Sequence, residues 1–355
     1  MKMKIKRVLG ILLSIALVLG LMPQMSSPAY ALDNNYLTFT GTANFTITVG
    51  LYKGNLQYRT SEMSDWSNLT PGTPIEVINS DHILYLRGSG NNNKQLFDSY
   101  NHIEIESEGT VSCDGDIRTL IDYTNPEEAT MGAYCFYNMF RNCTSLTKGP
   151  ALPATTLADY CYDGMFYGCT SLEEAPALPA TTLAKYCYSY MFDGCTSLEE
   201  APDLSATTLA DKCYSCMFYD CTSLEEAPDL PATTLADSCY IYMFEGCTSL
   251  EEAPDLPATT LADYCYSYMF EGCTSLEEAP DLPATTLKDS CYDCMFDGCT
   301  SLEEAPDLPA TTLAYSCYSY MFFGCTSLQE APSLPATTLA DYCYYRMFEG
   351  CTSLE

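Results

Sequence analysis

The chain has 355 residues and a formal net charge of −32, from 47 acidic and 15 basic residues, and it carries 21 cysteines. A surface this acidic repels nucleic acid and anionic lipid, which excludes them as partners, and favours basic partners or divalent cations. There are only two histidines, His82 and His102, which excludes most nucleophile–base pairs built on histidine.

In chain order, the first segment reads as an export signal. Lys2, Lys4, Lys6 and Arg7 precede an apolar run over residues 8–21, and Ala29-Tyr30-Ala31 supplies an A-x-A cleavage site. Cleavage after Ala31 removes four basic residues and no acid, taking the mature charge from −32 to −36. An uncleaved anchor is the alternative, but the run is short for a bilayer span. No cysteine precedes Cys113, which excludes a lipoprotein anchor, and there is no second apolar run. The mature chain is expected to be exported and soluble, without membrane insertion.

Residues 32–125 do not repeat. Alternation over 36–40 and 45–49 predicts half-buried strands, with further strands at 56–60, 75–78, 83–87 and 103–107 between Gly, Asn, Asp and Pro turns. A small β-rich domain, read as a sandwich, is expected to cap the remainder of the chain. The sharper alternative is a carbohydrate module using Trp66 and Tyr58; a lone Trp is more often core than platform.

From residue 126 onward the chain repeats every 26 residues. One cysteine column runs Cys143, Cys169, Cys195 and onward to Cys351, and a second runs from Cys135 to Cys343. A fixed period in this range means a stacked solenoid, because one unit cannot bury its own apolar face. Residues 126–151 form a degenerate first repeat, 152–333 seven full repeats and 334–355 an incomplete last one. Because the chain stops inside its ninth copy, either a longer protein or end-to-end self-association is expected.

Within the copy at 178–203, the near-constant residues include Leu183, Cys187, Tyr188, Met191, Phe192, Cys195 and Leu198. The varying ones are Lys185, Tyr186, Ser189, Tyr190 and Asp193. Their offsets of 0, 1, 4, 5 and 8 are read as one face of a three-turn α-helix. Thr182 and its equivalents precede it, with Asp three residues later in most copies, as at Thr156/Asp159 and Thr208/Asp211, which reads as a capping box. Gly194 and its equivalents, replaced by Asn142 and Asp220, close it as left-handed residues. A short strand around 198–201 completes an α/β unit, one strand plus one helix, in a right-handed array.

On such a helix the two cysteine columns stand about 12 Å apart, against the roughly 4.4–6.8 Å Cα separation of a disulfide. Two ladders of buried free thiols are therefore expected, with disulfides between neighbouring repeats as the alternative. Cys216 and Cys294, which stand in a variable column, are expected to react first.

The core MFDGCTSLEEA at residues 191–201 resembles the BspA-like leucine-rich repeat family of bacterial surface antigens, over about residues 126–355. The unit is slightly longer than is commonest there, and Ala201 stands where a larger aliphatic residue is usual. The resemblance implies a secreted or cell-surface protein used in adhesion or partner binding. It carries over no catalytic residues.

Other chemistry is weakly signalled. Cys213-Tyr-Ser-Cys216 and Cys291-Tyr-Asp-Cys294 are C-x-x-C, but they lack a thioredoxin-type context or a paired zinc knuckle. The pairs from Glu173-Glu174 to Glu303-Glu304 read as a solvated acidic face. Calcium is the alternative there, although the glycine–aspartate loops of calcium β-rolls are missing. LPATT lacks the glycine, apolar stretch and basic tail of a sortase signal, so it reads as repeat structure.

The expectation is a non-catalytic binder without a cofactor or metal, whose partner is an extracellular protein or glycan. A self-associating surface-layer or matrix component is the alternative. Recognition is expected on the variable face, at Tyr186, Tyr190, Tyr242, Tyr264, Tyr268, Tyr320 and Tyr342, because tyrosine gives large contact area for little side-chain entropy; the alternative is that these rings simply stack along the rod and cover the helix grooves.

Overall fold

A computed structural model describes residues 36–97 and 101–355. The expected export signal lies outside the described residues.

The non-repeating part folds into two sheets. Strands β1 (Leu37–Gly41), β2 (Phe45–Val49), β3 (Leu56–Thr60), β5 (Ile75–Val77), β6 (Ile83–Gly88) and β7 (Ile103–Ser107) fall where alternation places them. Three short ones, β4 (Ser67–Asn68), β8 (Val111–Asp114) and β9 (Leu146–Lys148), were not legible. The first sheet has the order β4-β3-β6-β1-β8-β9 and the second β5-β2-β7. Alternate residues such as Leu37, Phe39, Ile47, Val49, Leu84 and Leu86 are buried between them, as period-two patterning requires.

The edge strand β9 belongs to the first repeat, and it joins β8 in parallel, pairing Val111 with Leu146. Further backbone bonds tie the β-part to the first repeat: Val111 N to Ser145 O at 2.8 Å on the β8 edge, Ile103 N to Met139 O at 2.8 Å on the β7 edge of the second sheet, and Leu96 N to Cys135 O at 3.1 Å from the preceding loop. Donors of the β-part are thereby satisfied by carbonyls of the first repeat, which leaves no bare strand edge at this junction. Trp66 packs among Tyr36, Arg59 and Arg87, with the Arg87 guanidinium 4.0–4.1 Å from the Tyr123 and Trp66 ring centroids. One side of its ring is thus occupied, which disfavours the sugar-platform reading.

The repeats stack as a solenoid but contain no α-helix, which corrects the helix expected over 183–193. Every copy instead places a left-handed residue at three positions four apart: Tyr186, Tyr190 and Gly194 in one copy, Lys212, Cys216 and Asp220 in the next. Amide bonds alternate with this rhythm. Ser189 N and Met191 N reach back to Tyr186 O and Tyr188 O, three residues earlier. The intervening Tyr188 N, Tyr190 N and Phe192 N donate across to Cys213 O, Ser215 O and Met217 O of the next copy, at 2.9–3.0 Å. The segment is a ribbon of consecutive turns, and half of its amides bond the neighbouring ribbon.

Over so short a segment the spacing separates the two only weakly. A helix advances about 100° per residue, so residues four apart drift by about 40°, whereas the offsets 0, 1, 4, 5 and 8 keep a strict period of four. The expected capping box is replaced as well. Asp159 Oδ1 accepts from Lys185 N at 3.1 Å and Asp289 Oδ1 from Tyr315 N at 3.1 Å, each one copy further on. The expected strand at 198–201 is reduced to single parallel bridges, such as Glu200 with Glu226 and Glu226 with Glu252.

Inside, identical side chains stack. The Phe192 column runs at ring spacings of 5.6–5.7 Å, and the buried Tyr188 column at 5.7–6.0 Å. The Cys195 column donates its thiols to phenylalanine carbonyls of the preceding copy, as in Cys195 to Phe166 O at 3.2 Å and Cys273 to Phe244 O at 3.0 Å, except that Cys143 of the first repeat donates to Ile103 O of the β-part.

All 21 cysteines are free thiols. Cys216 and Cys294 are only 4% and 6% exposed; the Cys216 sulfur lies 3.6 Å from Ser215 Oγ and the Cys294 thiol donates to Asp293 Oδ1 at 3.6 Å, which argues against the expectation that they react first. Burial pushes the Cys135, Cys169 and Cys213 thiols up to about 12, far from the thiolate needed for attack. Maleimide labelling of native protein is therefore expected to modify Cys351, the one partly exposed thiol, and little else until the chain unfolds. Mass mapping checks this, and early labelling at Cys216 would overturn it.

Candidate binding face

The turn ribbon carries the variable residues, but it does not expose all of them: the column of Ser189, Ser215 and Ser267, read from the sequence as part of the varying face, is buried. All seven tyrosines singled out from the sequence occupy left-handed positions, with φ between 52° and 59°. That conformation costs an L-residue roughly 1–2 kcal/mol. Other copies fill the same places with Ser238, Ser290, Gly164, Asn138 and Lys212, so the ribbon does not require a ring there. Tyr190, Tyr264 and Tyr342 are 41%, 45% and 58% exposed, while Tyr186, Tyr242, Tyr268 and Tyr320 are half-buried.

The structure brings some of the seven together. Tyr242 and Tyr268 stack at 4.5 Å, and Tyr186 ends a stack with Tyr160 and Tyr134 at 4.4 Å per step. Tyr320 and Tyr342 enter an edge-to-face cluster through Tyr345, with Tyr315 and Phe323 beside them. Tyr190 and Tyr264 make no ring pair among the described residues.

Sequence reasoning missed a column of half-buried carboxylates beside these rings. Burial pushes the Asp193, Glu245 and Glu271 carboxyls up to about 7 and Asp297 up to about 6. The charge of Asp220 adds to the rise at Asp193, whereas the Tyr219 hydroxyl opposes it at Glu245. Asp163, buried in a neighbouring column, is pushed up to about 8 by burial. The available signal was acid recurrence at 26-residue spacing in a column read only as varying.

Among the described residues no group of three or more His, Cys, Asp or Glu is placed to hold a metal ion. No helix of the described residues is long and apolar enough to cross a membrane. What the face offers is aromatic area bordered by acid.

A family model describing the BspA-type leucine-rich repeat region matches residues 129–276 and 212–355, with six copies. The chain belongs to the BspA-type leucine-rich repeat family. Searches of the curated proteins and of the solved structures found no match. Proteins with these repeats are generally surface proteins that engage other proteins, and the repeats are typically non-catalytic.

Proposed function

We propose that this is a secreted or cell-surface adhesion protein that attaches to an extracellular protein through the tyrosine-bearing side of its turn ribbon and performs no catalysis. The observation that carries this reading is the cost of the tyrosines. They occupy a conformation that disfavours them, at places where serine, glycine and asparagine hold the same turn elsewhere in the chain. A ring kept there without need of the fold suits contact, and amphipathic rings with few rotors dominate protein-binding surfaces.

The internal replacements supply the test. Tyr242→Asn, Tyr264→Ser and Tyr268→Asn copy residues already found at these positions. Residues 32–355 carrying all three are expected to melt within about 3 °C of the parent and to lose at least about tenfold in saturable binding to a purified panel of extracellular-matrix proteins and glycans. Unchanged binding by the variant would overturn this reading. So would the parent protein giving concentration-dependent growth in light scattering with no saturable ligand, the behaviour of a self-associating surface-layer component.

A further inference from the structure

The turn face already shows how it holds a cation. Arg141 lies 4.0 Å over the Tyr167 ring of the next copy, and Lys212 lies 5.5 Å over the Tyr186 ring of the preceding one. Lys185 Nζ is 2.6 Å from Asp211 Oδ2, again one copy on. Arg346 stands 5.3 Å from the Tyr345 ring, with its Nε 3.3 Å from Glu349. Arg346 occupies the repeat position that Tyr242 and Tyr268 fill elsewhere, and Glu349 the position of Glu245 and Glu271. Its contacts therefore show a guanidinium held where those acids stand.

Over residues 237–272 the same columns continue without a single lysine or arginine. The stacked pair Tyr242–Tyr268 is present, Glu245 and Glu271 each lie three residues after a ring, and Asp237 and Asp263 each lie five residues before one. One carboxylate oxygen of Glu245 is buried without a hydrogen-bond donor. Lys288, one copy further on, is exposed and forms none of the ion pairs among the described residues.

We propose that this stretch receives the arginine side chains of a basic segment of a partner protein, with Tyr242 and Tyr268 taking the guanidinium plane and Glu245 and Glu271 its charge. This rests on the adhesion reading above and names the partner's chemistry. Arginine fits better than lysine, because its planar fork stacks on rings and engages carboxylates at two points. Nine acids against two lysines in the ribbons at 211–220, 237–246, 263–272 and 288–298 add attraction at longer range. The Glu251-Glu252 and Glu277-Glu278 pairs elsewhere on the repeats attract a basic chain as well, but without rings they do not favour arginine over lysine.

Fluorescence anisotropy of short labelled peptides tests this, using alternating Arg-Ser, Lys-Ser and Gln-Ser sequences against residues 32–355 at pH 8 and 0.15 M salt. The arginine peptide is expected to bind at least about threefold more tightly than the lysine one, and the glutamine peptide not at all. Tyr242→Asn/Tyr268→Asn and, separately, Glu245→Gln/Glu271→Gln are each expected to weaken arginine binding about tenfold or more. Glu251→Gln/Glu252→Gln is expected to change it less than about twofold. Equal losses from both glutamate pairs, or equal affinity for arginine and lysine, would overturn the assignment. If the tyrosine variants lose matrix-protein binding while the arginine peptide neither binds nor competes, the binding face stands and the cation assignment falls. If the arginine peptide binds as expected while no matrix protein does, the adhesion reading falls instead.

Discussion

Replacing Ser238, Ser290 and Ser316 together by glycine is expected to stabilise the protein by about 1–3 kcal/mol. These serines hold left-handed backbone at φ 54°, 50° and 49°. An L-residue is strained there by roughly 1–2 kcal/mol and glycine is not, although glycine returns part of the gain through its freer unfolded chain. The hydroxyls contribute little against this: the Ser267 side chain donates to the backbone carbonyl of Ser290, which glycine retains.

The same substitutions separate the turn ribbon from a helix by sign. In a helix interior each glycine would lower stability by about 0.5 kcal/mol relative to serine, and alanine would raise it by a similar amount. In the ribbon alanine keeps the strain and gains nothing. Urea midpoints of the triple glycine and triple alanine variants, at unchanged m, decide the matter. A loss with glycine together with a gain with alanine would restore the helix.

The repeat architecture was legible because the 26-residue period is written in columns of identical side chains, and each column became a physical stack, as with Phe192 on Phe218 at 5.6 Å. The strands of the β-part were legible for the usual reason, alternation against a two-sheet core. The helix was misread because Leu183, Cys187, Tyr188, Met191 and Phe192 satisfy an i, i+4 template that a four-residue turn satisfies equally well. Local spacing does not report where an amide finds its acceptor, and here half of the acceptors lie 25 residues away. The left-handed residues at Gly194, Asn142 and Asp220 were read correctly as to conformation. Their companions at Tyr186 and Tyr190 were hidden, since tyrosine carries no preference for positive φ. The tyrosine face survives the change of secondary structure because both geometries place residues four apart on one side. The half-buried carboxylates were not legible in the sequence, because the depth of Glu245 beside Tyr219 is set by the neighbouring copy.

Those carboxylates make acidification stabilising. Lowering the pH from 8.5 to 5.5 is expected to raise the melting temperature of residues 32–355 by several degrees. Asp163 is held at about 8, Asp193, Glu245 and Glu271 at about 7, and Asp297 at about 6, in every case chiefly by burial. Their folded values lie above those of the unfolded chain, so the native state keeps protons that unfolding releases. The associated stability is fully present below the ordinary carboxyl range, near pH 4, and is lost as the pH rises through about 6 to 8. Interactions among surface charges are screened by salt, whereas the cost of burying a charge is not. The melts therefore belong in 0.5 M sodium chloride. Asp163, 7% exposed and without an ion-pair partner among the described residues, isolates the burial effect. Asp163→Ser installs the residue that the same column carries at Ser189, Ser215 and Ser267, and it removes one buried charge. It is expected to stabilise the protein by about 1–3 kcal/mol at pH 8.5 and to have little effect at pH 5.5, which flattens the profile. A melting temperature that falls on acidification in high salt, or a profile that Asp163→Ser leaves unchanged, would show that these carboxyls are hydrated and charged in the native protein.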